Sequence, residues 1–512
     1  MMRRQTQLPR SKQILIGASA LLAVLVTEAP AEPYALPDMG SPADAVMSTG
    51  AEQRLGKAFM RNVRESLPIL DDPVLTDYVE SLGRELLAAD NNAGGDFTFF
   101  VIDQPVVNAF AGPGGYIGVY AGLILAAETE SELAAVMAHE IAHVTQRHLM
   151  RSIDDQSKLS IPATALLVAA AILGAQVSAD AGVAAIAGIQ AATLQRKINF
   201  TRENEKEADR LGIVTLAKAG YDPYAMAGFF ERLAKNSRVY ENNAPEFLRT
   251  HPVNTNRVAD ALGRADDFGA RQRPDHLRFQ LARAKLRERS YKRPEQAVDH
   301  FRDTLREGRY RNAMAERYGY ALALERAGKP DASQEIATEL LAAKPMLLEF
   351  VALDGRLDVK QGRASRAVTN LKQAISLAPG SWPLRIAYSE ALMATGKPTQ
   401  ALDELRTVAR LRPGNAVLYE KLEEAAHRAG DRPATHLFRA EKLYAEGDLE
   451  PAIRQLEIAL RQRDIPYHDA ALIQARLDAW KEEARDSKRK KKDRNGDQRG
   501  IRAQANHLQP NH

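Results

Sequence analysis

The chain has 512 residues, 45% of them hydrophobic and 27% charged, a balance that excludes wholesale disorder and gives length for two or three domains with separate cores. It contains no cysteine, which excludes a disulfide framework and a lipid-modified cysteine at a processed amino terminus. Of the formal net charge of +4, residues 1–31 carry +3 and Arg485 to His512 carry +6; the segment between is near −5 and offers no basic face for nucleic acid.

At the amino end, Arg3, Arg4, Arg10 and Lys12 precede an apolar run from Ile14 to Val26 and then Ala29-Pro30-Ala31, the pattern of a secretory signal peptide with cleavage expected after Ala31. The run is shorter than the roughly 20 residues that a spanning helix needs. From Ala51 to Ala89 the apolar spacing predicts helix. The period changes between Asp96 and Gly122, where Phe97 to Ile102 and Tyr116 to Tyr120 read as strands separated by a turn rich in glycine and proline, Asn108 to Gly115. Glu130 to His148 predicts an amphipathic helix.

That helix carries Ala138-His139-Glu140-Ile141-Ala142-His143. Two imidazoles one helical turn apart point from one face toward a common ion, with Glu140 between them. Two surface histidines are the plainer alternative. A catalytic zinc takes three protein ligands and keeps a fourth position open for water, so a third donor is expected downstream. Phe200 to Asp209 offers Glu205 and Asp209 on one helical face and Glu203 and Glu207 on another. Glu205 as ligand with Asp209 fixing a histidine tautomer, or simply a solvated acidic helix start, fits the spacing equally well.

Between these segments, Leu159 to Ala192 is almost uncharged but interrupted by Pro162, Gly174, Ser178 and Gly182. It reads either as a buried hairpin of small-residue helices or as a surface touching membrane or a partner. The second half repeats. Gly328, Gly362, Gly396 and Gly430 recur every 34 residues, as do Pro345, Pro379 and Pro413, the tetratricopeptide period. Ser381 to Gly414 is the clearest copy, a degenerate one begins near His276, and the phase breaks at Gly447. Stacked helix pairs make a concave surface for extended polypeptide, a binding module without chemistry of its own. The tail Lys488-Arg489-Lys490-Lys491-Lys492 reads as a solvated end, or as a contact for acidic lipid or partner.

Asn108 to Tyr116, then His139 to His143, then Thr201-Arg202 with Glu205 and Ala208-Asp209, and finally His251-Pro252 with Arg257 resemble the successive motifs of the HtpX-like, CAAX-prenyl-protease-related gluzincins. Threonine at 201, where the family often has serine, is a small departure. The resemblance spans residues 51 to about 480. It implies one Zn2+ per chain held by His139, His143 and Glu205, with Asp209 behind a ligand and Glu140 as the base that activates water. It places His251 near the active site, as a helix cap, as a donor steadying the reaction intermediate, or as a switch that occupies the open zinc position from the loop at Pro252. It also implies a Gram-negative periplasm, hydrolysis of misassembled outer-membrane β-barrel proteins, a chaperone-like role in their assembly, and contact with the barrel-assembly machinery through the repeats.

Gly115, Tyr116, Ile117, Gly118, Val119 and Tyr120 form a candidate edge strand for main-chain pairing with substrate, or else an internal strand. The expected fold is α+β: a mostly helical zincin-type domain with a small sheet (32–275) after the signal peptide (1–31), then an all-α tetratricopeptide superhelix (276–482) and a basic tail (483–512). A tetratricopeptide chaperone or scaffold, with proteolysis secondary, is the alternative function.

Overall fold

The computed structural model describes residues 47–90, 94–153, 161–173, 202–239, 245–462 and 465–485. The expected signal segment, residues 159–160 and 174–192 of the apolar stretch, Thr201 and the tail from 486 onward lie outside these residues.

The first helical stretch divides into α1 (Thr49–Ser66) and α2 (Pro73–Ala89). Asp72 restarts the helix: its carboxylate accepts from the Val74 and Leu75 amides, and Pro73 sits in the first turn, where a missing N–H costs nothing. β1 (Thr98–Ile102), β2 (Ala109–Ala111) and β3 (Tyr116–Tyr120) form a sheet in the order β1-β3-β2, parallel between β1 and β3 and antiparallel between β2 and β3.

Two expectations change here. The segment after Asn108 is more than a turn, because Ala109–Ala111 pair with Ile117–Val119 before a short helical turn, Pro113–Gly115, reverses the chain. And Tyr116–Tyr120 is the central strand, its backbone groups taken by β1 on one side and β2 on the other. Tyr116, Ile117, Gly118, Val119 and Tyr120 therefore have no free edge for a substrate. Gly115 serves its turn: its φ is 78°, and a Cβ there would lie 2.0 Å from the Asp96 carbonyl oxygen.

Alternation along the strands feeds two cores. Phe99, Val101, Ile117 and Val119 pack toward α2 and the metal-motif helix, while Phe100, Ile102, Phe110 and Tyr120 pack under α1. After α3 (Ala121–Ala126), α4 (Glu130–Thr145) carries the histidine motif, its first turn capped by the Thr129 hydroxyl. Glu130 to His143 are all buried, so α4 is a central helix rather than the amphipathic one its pattern predicts. α5 (His148–Ser152) and α6 (Ile161–Leu173) follow; Ala165, Val168, Ala169 and Ala171 of α6 are buried in the core under α1, in keeping with the buried-helix reading for this part of the apolar stretch. Among the described residues no helix is long and apolar enough to cross a membrane.

α7 (Arg202–Lys218) crosses α4 at close range: a Cβ on Gly212 would meet the His139 nitrogen at 3.2 Å. α8 (Tyr224–Val239), α9 (Glu246–Thr250) and α10 (Thr255–Asp266) close this half.

The repeats are helix pairs: α11 (Leu277–Ser290) with α12 (Pro294–Glu307), α13 (Ala313–Arg326) with α14 (Pro330–Ala343), α15 (Leu348–Lys360) with α16 (Ala364–Leu377), α17 (Trp382–Ala394) with α18 (Pro398–Leu411), and α19 (Ala416–Arg428) with α20 (Arg432–Glu446), before α21 (Leu449–Leu460). Gly328, Gly362, Gly396 and Gly430 end the first helix of successive pairs, each with φ between 72° and 75°, a left-handed cap that explains the 34-residue recurrence. The superhelix returns to the first half at two places. Arg412, just beyond α18, ion-pairs with Glu80 of α2 and lies 4.1 Å over the Trp382 ring, and α20 reaches α1. The fold is thus the expected α+β domain followed by an all-α repeat array.

Candidate metal centre

Burial of α4 puts His139 and His143 inside the first half, and the face of α7 formed by Glu205, Ala208, Asp209 and Gly212 meets them. The two histidine Nε2 atoms are 3.0 Å apart. Glu205 brings Oε1 to 3.4 Å from His143 Nε2 and Oε2 to 3.6 Å from His139 Nε2. His251, which ends α9 and stacks on Phe247, brings Nδ1 to 3.3 Å from His139 Nε2 and 3.0 Å from Glu205 Oε1. One donor atom from each of these four buried residues lies within 4.8 Å of the others. Nitrogen and oxygen ligands of a tetrahedral zinc stand about 3.3 Å from one another, so the His139–His143, His139–His251 and glutamate–histidine spacings of 3.0–3.6 Å, in a set whose donors all lie within 4.8 Å, suit one such ion.

Glu140 reaches the same space, Oε1 lying 3.5 Å from His251 Nε2, yet its buried oxygens take no side-chain hydrogen bond among the described residues and have only the Ala111 backbone amide as a nearby donor. A buried carboxylate left this way is costly unless a cation or a reacting group completes it. The charges agree. Of the three carboxylates Glu140, Glu205 and Asp209, the last two are held by Arg257, the one arginine or lysine that contacts them among the described residues; its guanidinium lies 2.7 Å from Glu205 Oε2 and grips Asp209 with two bonds of 2.8 Å. With the imidazoles neutral, two negative charges remain, which a divalent ion balances.

Burial pushes the Glu140 carboxyl up, against the pull of His251 and His139. On Glu205 burial pushes the same way, but His251, His143 and His139 overcome it and hold the group well below the usual carboxylate range. Asp209 is likewise held low against burial by His139 and Arg257. Burial drives His143 well below the ordinary imidazole range, which favours the neutral, ligating form. His251 goes the other way: Glu205 and Glu140 outweigh burial and raise it.

Asp209 stands where the helical spacing puts it, Oδ1 3.0 Å from His139 Nδ1. The matching support for the second histidine escaped sequence reasoning. His148 Nδ1 lies 2.9 Å from His143 Nδ1, and His148 Nε2 lies 3.1 Å from Glu207 Oε2. Helical spacing places Glu207 on a different face of α7 from Glu205. The link depends on Arg147, which adopts φ 52°, ends α4 and turns His148 back toward the site, anchored by bonds to the Met47 carbonyl and Glu52. A third histidine five residues past the motif was the available signal, but nothing local announces the left-handed turn. Arg257, which the resemblance includes without implying a role, is the clamp on both Glu205 and Asp209.

Residues 73–265 match peptidase family M48, and residues 358–420 match a tetratricopeptide repeat family. The β-barrel assembly-enhancing protease of Escherichia coli is 35% identical over 443 residues, covering 86% of this chain and 90% of that protein. The protein of the same description from Yersinia pestis is 33% identical over 443 residues, covering 86% and 91%. The chain belongs to the β-barrel assembly-enhancing protease family. It is a zinc metallopeptidase, with a buried histidine and glutamate cluster able to hold one ion. A mitochondrial metalloendopeptidase of Arabidopsis thaliana is 28% identical over 189 residues, covering 37% of this chain and 36% of that protein.

Proposed function

We propose that this peptidase works in the periplasm on misassembled outer-membrane β-barrel proteins, hydrolysing their peptide bonds and assisting their assembly, with His139, His143 and Glu205 as ligands and Glu140 as general base. The four-donor cluster beside the buried Glu140 carboxylate, which no side chain bonds among the described residues, carries the assignment of ligands and base. His139, His143 and Glu205 would hold a zinc ion whose chemistry would be to polarise the scissile carbonyl and to bring the pKa of a bound water toward ~7. Burial keeps Glu140 close to the proton it must take, and its raised pKa suits both accepting that proton and passing it to the leaving amine. Asp209 with Arg257, and Glu207 through His148, fix the two histidine rings so that each directs Nε2 inward.

The peptide-pairing edge moves from β3 to β2. Asn108 and Gly112 bond to β3, so Ala109 and Ala111 between them turn their backbone groups away, toward a side with no strand partner among the described residues, where the Ala109 amide donates to Asn108 Oδ1 at 3.0 Å and the Ala111 amide faces Glu140 until a client replaces them. β2 also lies beside α4, which suits an extended client held by main-chain pairing next to Glu140. His251 supplies the fourth donor and is the proposed switch on the open position. The concave face of the repeats is the proposed holder of clients or of the barrel-assembly machinery. The test compares wild type with Glu140→Gln on a misassembled outer-membrane barrel protein, scoring degradation and assembly separately. Loss of degradation by roughly 10²-fold or more with zinc retained is expected; unchanged cleavage removes Glu140 from the mechanism, and unchanged assembly with degradation lost favours the chaperone role as a separate activity.

A further inference from the structure

A cavity of about 280 Å3 opens between α11, the loop after α12 and the first turn of α13, and two of its arginines, Arg283 and Arg311, reach the Leu125 and Glu128 carbonyls of the peptidase half. Arg283, Arg287, Arg309 and Arg311 line it with Tyr310, and Glu316 is the one acidic residue in its wall. Three of the guanidiniums have partners inside the fold. Arg309 pairs with Glu307, Arg311 bonds the Glu128 carbonyl at 2.5 Å and approaches its carboxylate at 3.8 Å, and Arg287 stands 3.6 Å from Glu316, itself bonded to the Thr304 hydroxyl.

Arg283 is different. No ion pair links it to a carboxylate among the described residues; it donates to the Leu125 carbonyl at 3.1 Å and lies 5.5 Å over the Phe279 ring, and its buried Nε has no hydrogen-bond partner. Burial, then repulsion from Arg287 and Arg311, lowers its pKa, yet an arginine stays charged across the working range. Crowding this cation beside others is unfavourable unless an anion enters, and a guanidinium fork matches the two oxygens of a carboxylate.

We propose that this cavity binds a carboxylate of an extended polypeptide, either an acidic side chain or a free carboxy terminus, where the repeats meet the peptidase half. This rests on the repeats holding polypeptide. The size suits one or two side chains rather than a lipid headgroup with its chains, and Tyr310, 40% exposed, offers a neighbouring residue an aromatic face. Arg309, with 70% of its side chain exposed, reaches incoming chain without holding the fold.

The test is fluorescence anisotropy with the full-length zinc-loaded chain carrying Glu140→Gln, so that the probe survives. Three labelled twelve-residue peptides are compared: one with Asp-Asp-Glu at its centre, its Asn-Asn-Gln isostere, and the isostere with an amidated carboxy terminus. Binding of the acidic peptide at least tenfold tighter than the isostere is expected, with the difference largely lost on Arg283→Gln and on Arg309→Gln and falling with added salt. In a chain with Glu140 intact, both substitutions should leave hydrolysis of a short neutral peptide unchanged, which excludes misfolding as the cause. If the free-terminus isostere binds tenfold tighter than its amide, the carboxy terminus is the ligand. Equal binding of all three overturns the anion site while leaving the repeats as a polypeptide holder; no binding by any overturns both. Competition by phosphatidylglycerol vesicles with no preference among the peptides overturns the carboxylate in favour of lipid phosphate.

Discussion

Cutting the chain after Phe268 tests whether the peptidase half stands without the repeats. The period of the repeats suggests a division near residue 276, but α11 faces two ways. Its Phe279, Ala282 and Leu286 are buried in the same cluster as Leu133 of α4 and Phe229 of α8, while Leu281 and Ala284 pack with Ala315, Tyr318 and Phe350 of the repeats. Lys285 adds an ion pair of 2.5 Å to Asp72, the cap of α2, and Arg278 one of 2.9 Å to Asp77. Removing a buried phenylalanine costs about 3–5 kcal/mol and a buried leucine about 2–5 kcal/mol. Phe279 and Leu286 together therefore account for roughly 5–10 kcal/mol, against a domain stability of about 5–15 kcal/mol. A fragment ending at Phe268 should lose its cooperative thermal transition, its zinc and its peptide hydrolysis. One ending at Ser290 should keep all three but self-associate, because Leu281 and Ala284 become exposed. Circular-dichroism melting with metal analysis decides the matter. A fragment ending at Phe268 that melts at the full-length temperature with zinc bound would show that α11 contributes nothing to the peptidase core.

Replacing Glu205 with Gln should weaken zinc more than Asp209→Asn does, the latter by about 10 to 100-fold; chelator competition measures both, and normal metal content in the Glu205 variant would redirect attention to Glu203 or Glu207. His148→Ala should weaken zinc about 10 to 100-fold with the melting transition of the zinc-free protein little changed, since His148 acts by orienting His143; unaltered zinc affinity would reduce it to packing. His251→Ala should raise hydrolysis of an unstructured peptide and self-cleavage, because the fourth donor is gone; a clear loss of rate with zinc still bound would sink the switch and favour a donor that steadies the reaction intermediate.

What the sequence made legible follows from the range of the forces involved. His139 and His143 could be paired from spacing because one helical turn fixes their relation, and Glu205 with Asp209 for the same reason on α7. The repeat glycines were legible because a left-handed cap recurs at a fixed interval and admits little else. Strand order was not: Tyr116–Tyr120 has the residues of a strand wherever it lies, and its central place depends on Ala109–Ala111, a three-residue strand too short to give a period. Arg257, His148 and His251 belong to the same class of contact. Each joins the site from 5 to 112 residues away along the chain, so only the packing of α4 against α7, α9 and α10 decides which charge meets which. Gly212 is where that packing begins. Without a Cβ at that position α7 approaches the His139 backbone closely enough for Asp209 and Glu205, one and two turns earlier on the same face, to reach the two imidazoles at once. A motif read from one helix thus supplies half of the site, and the other half is written in the residues that let a second helix come near it.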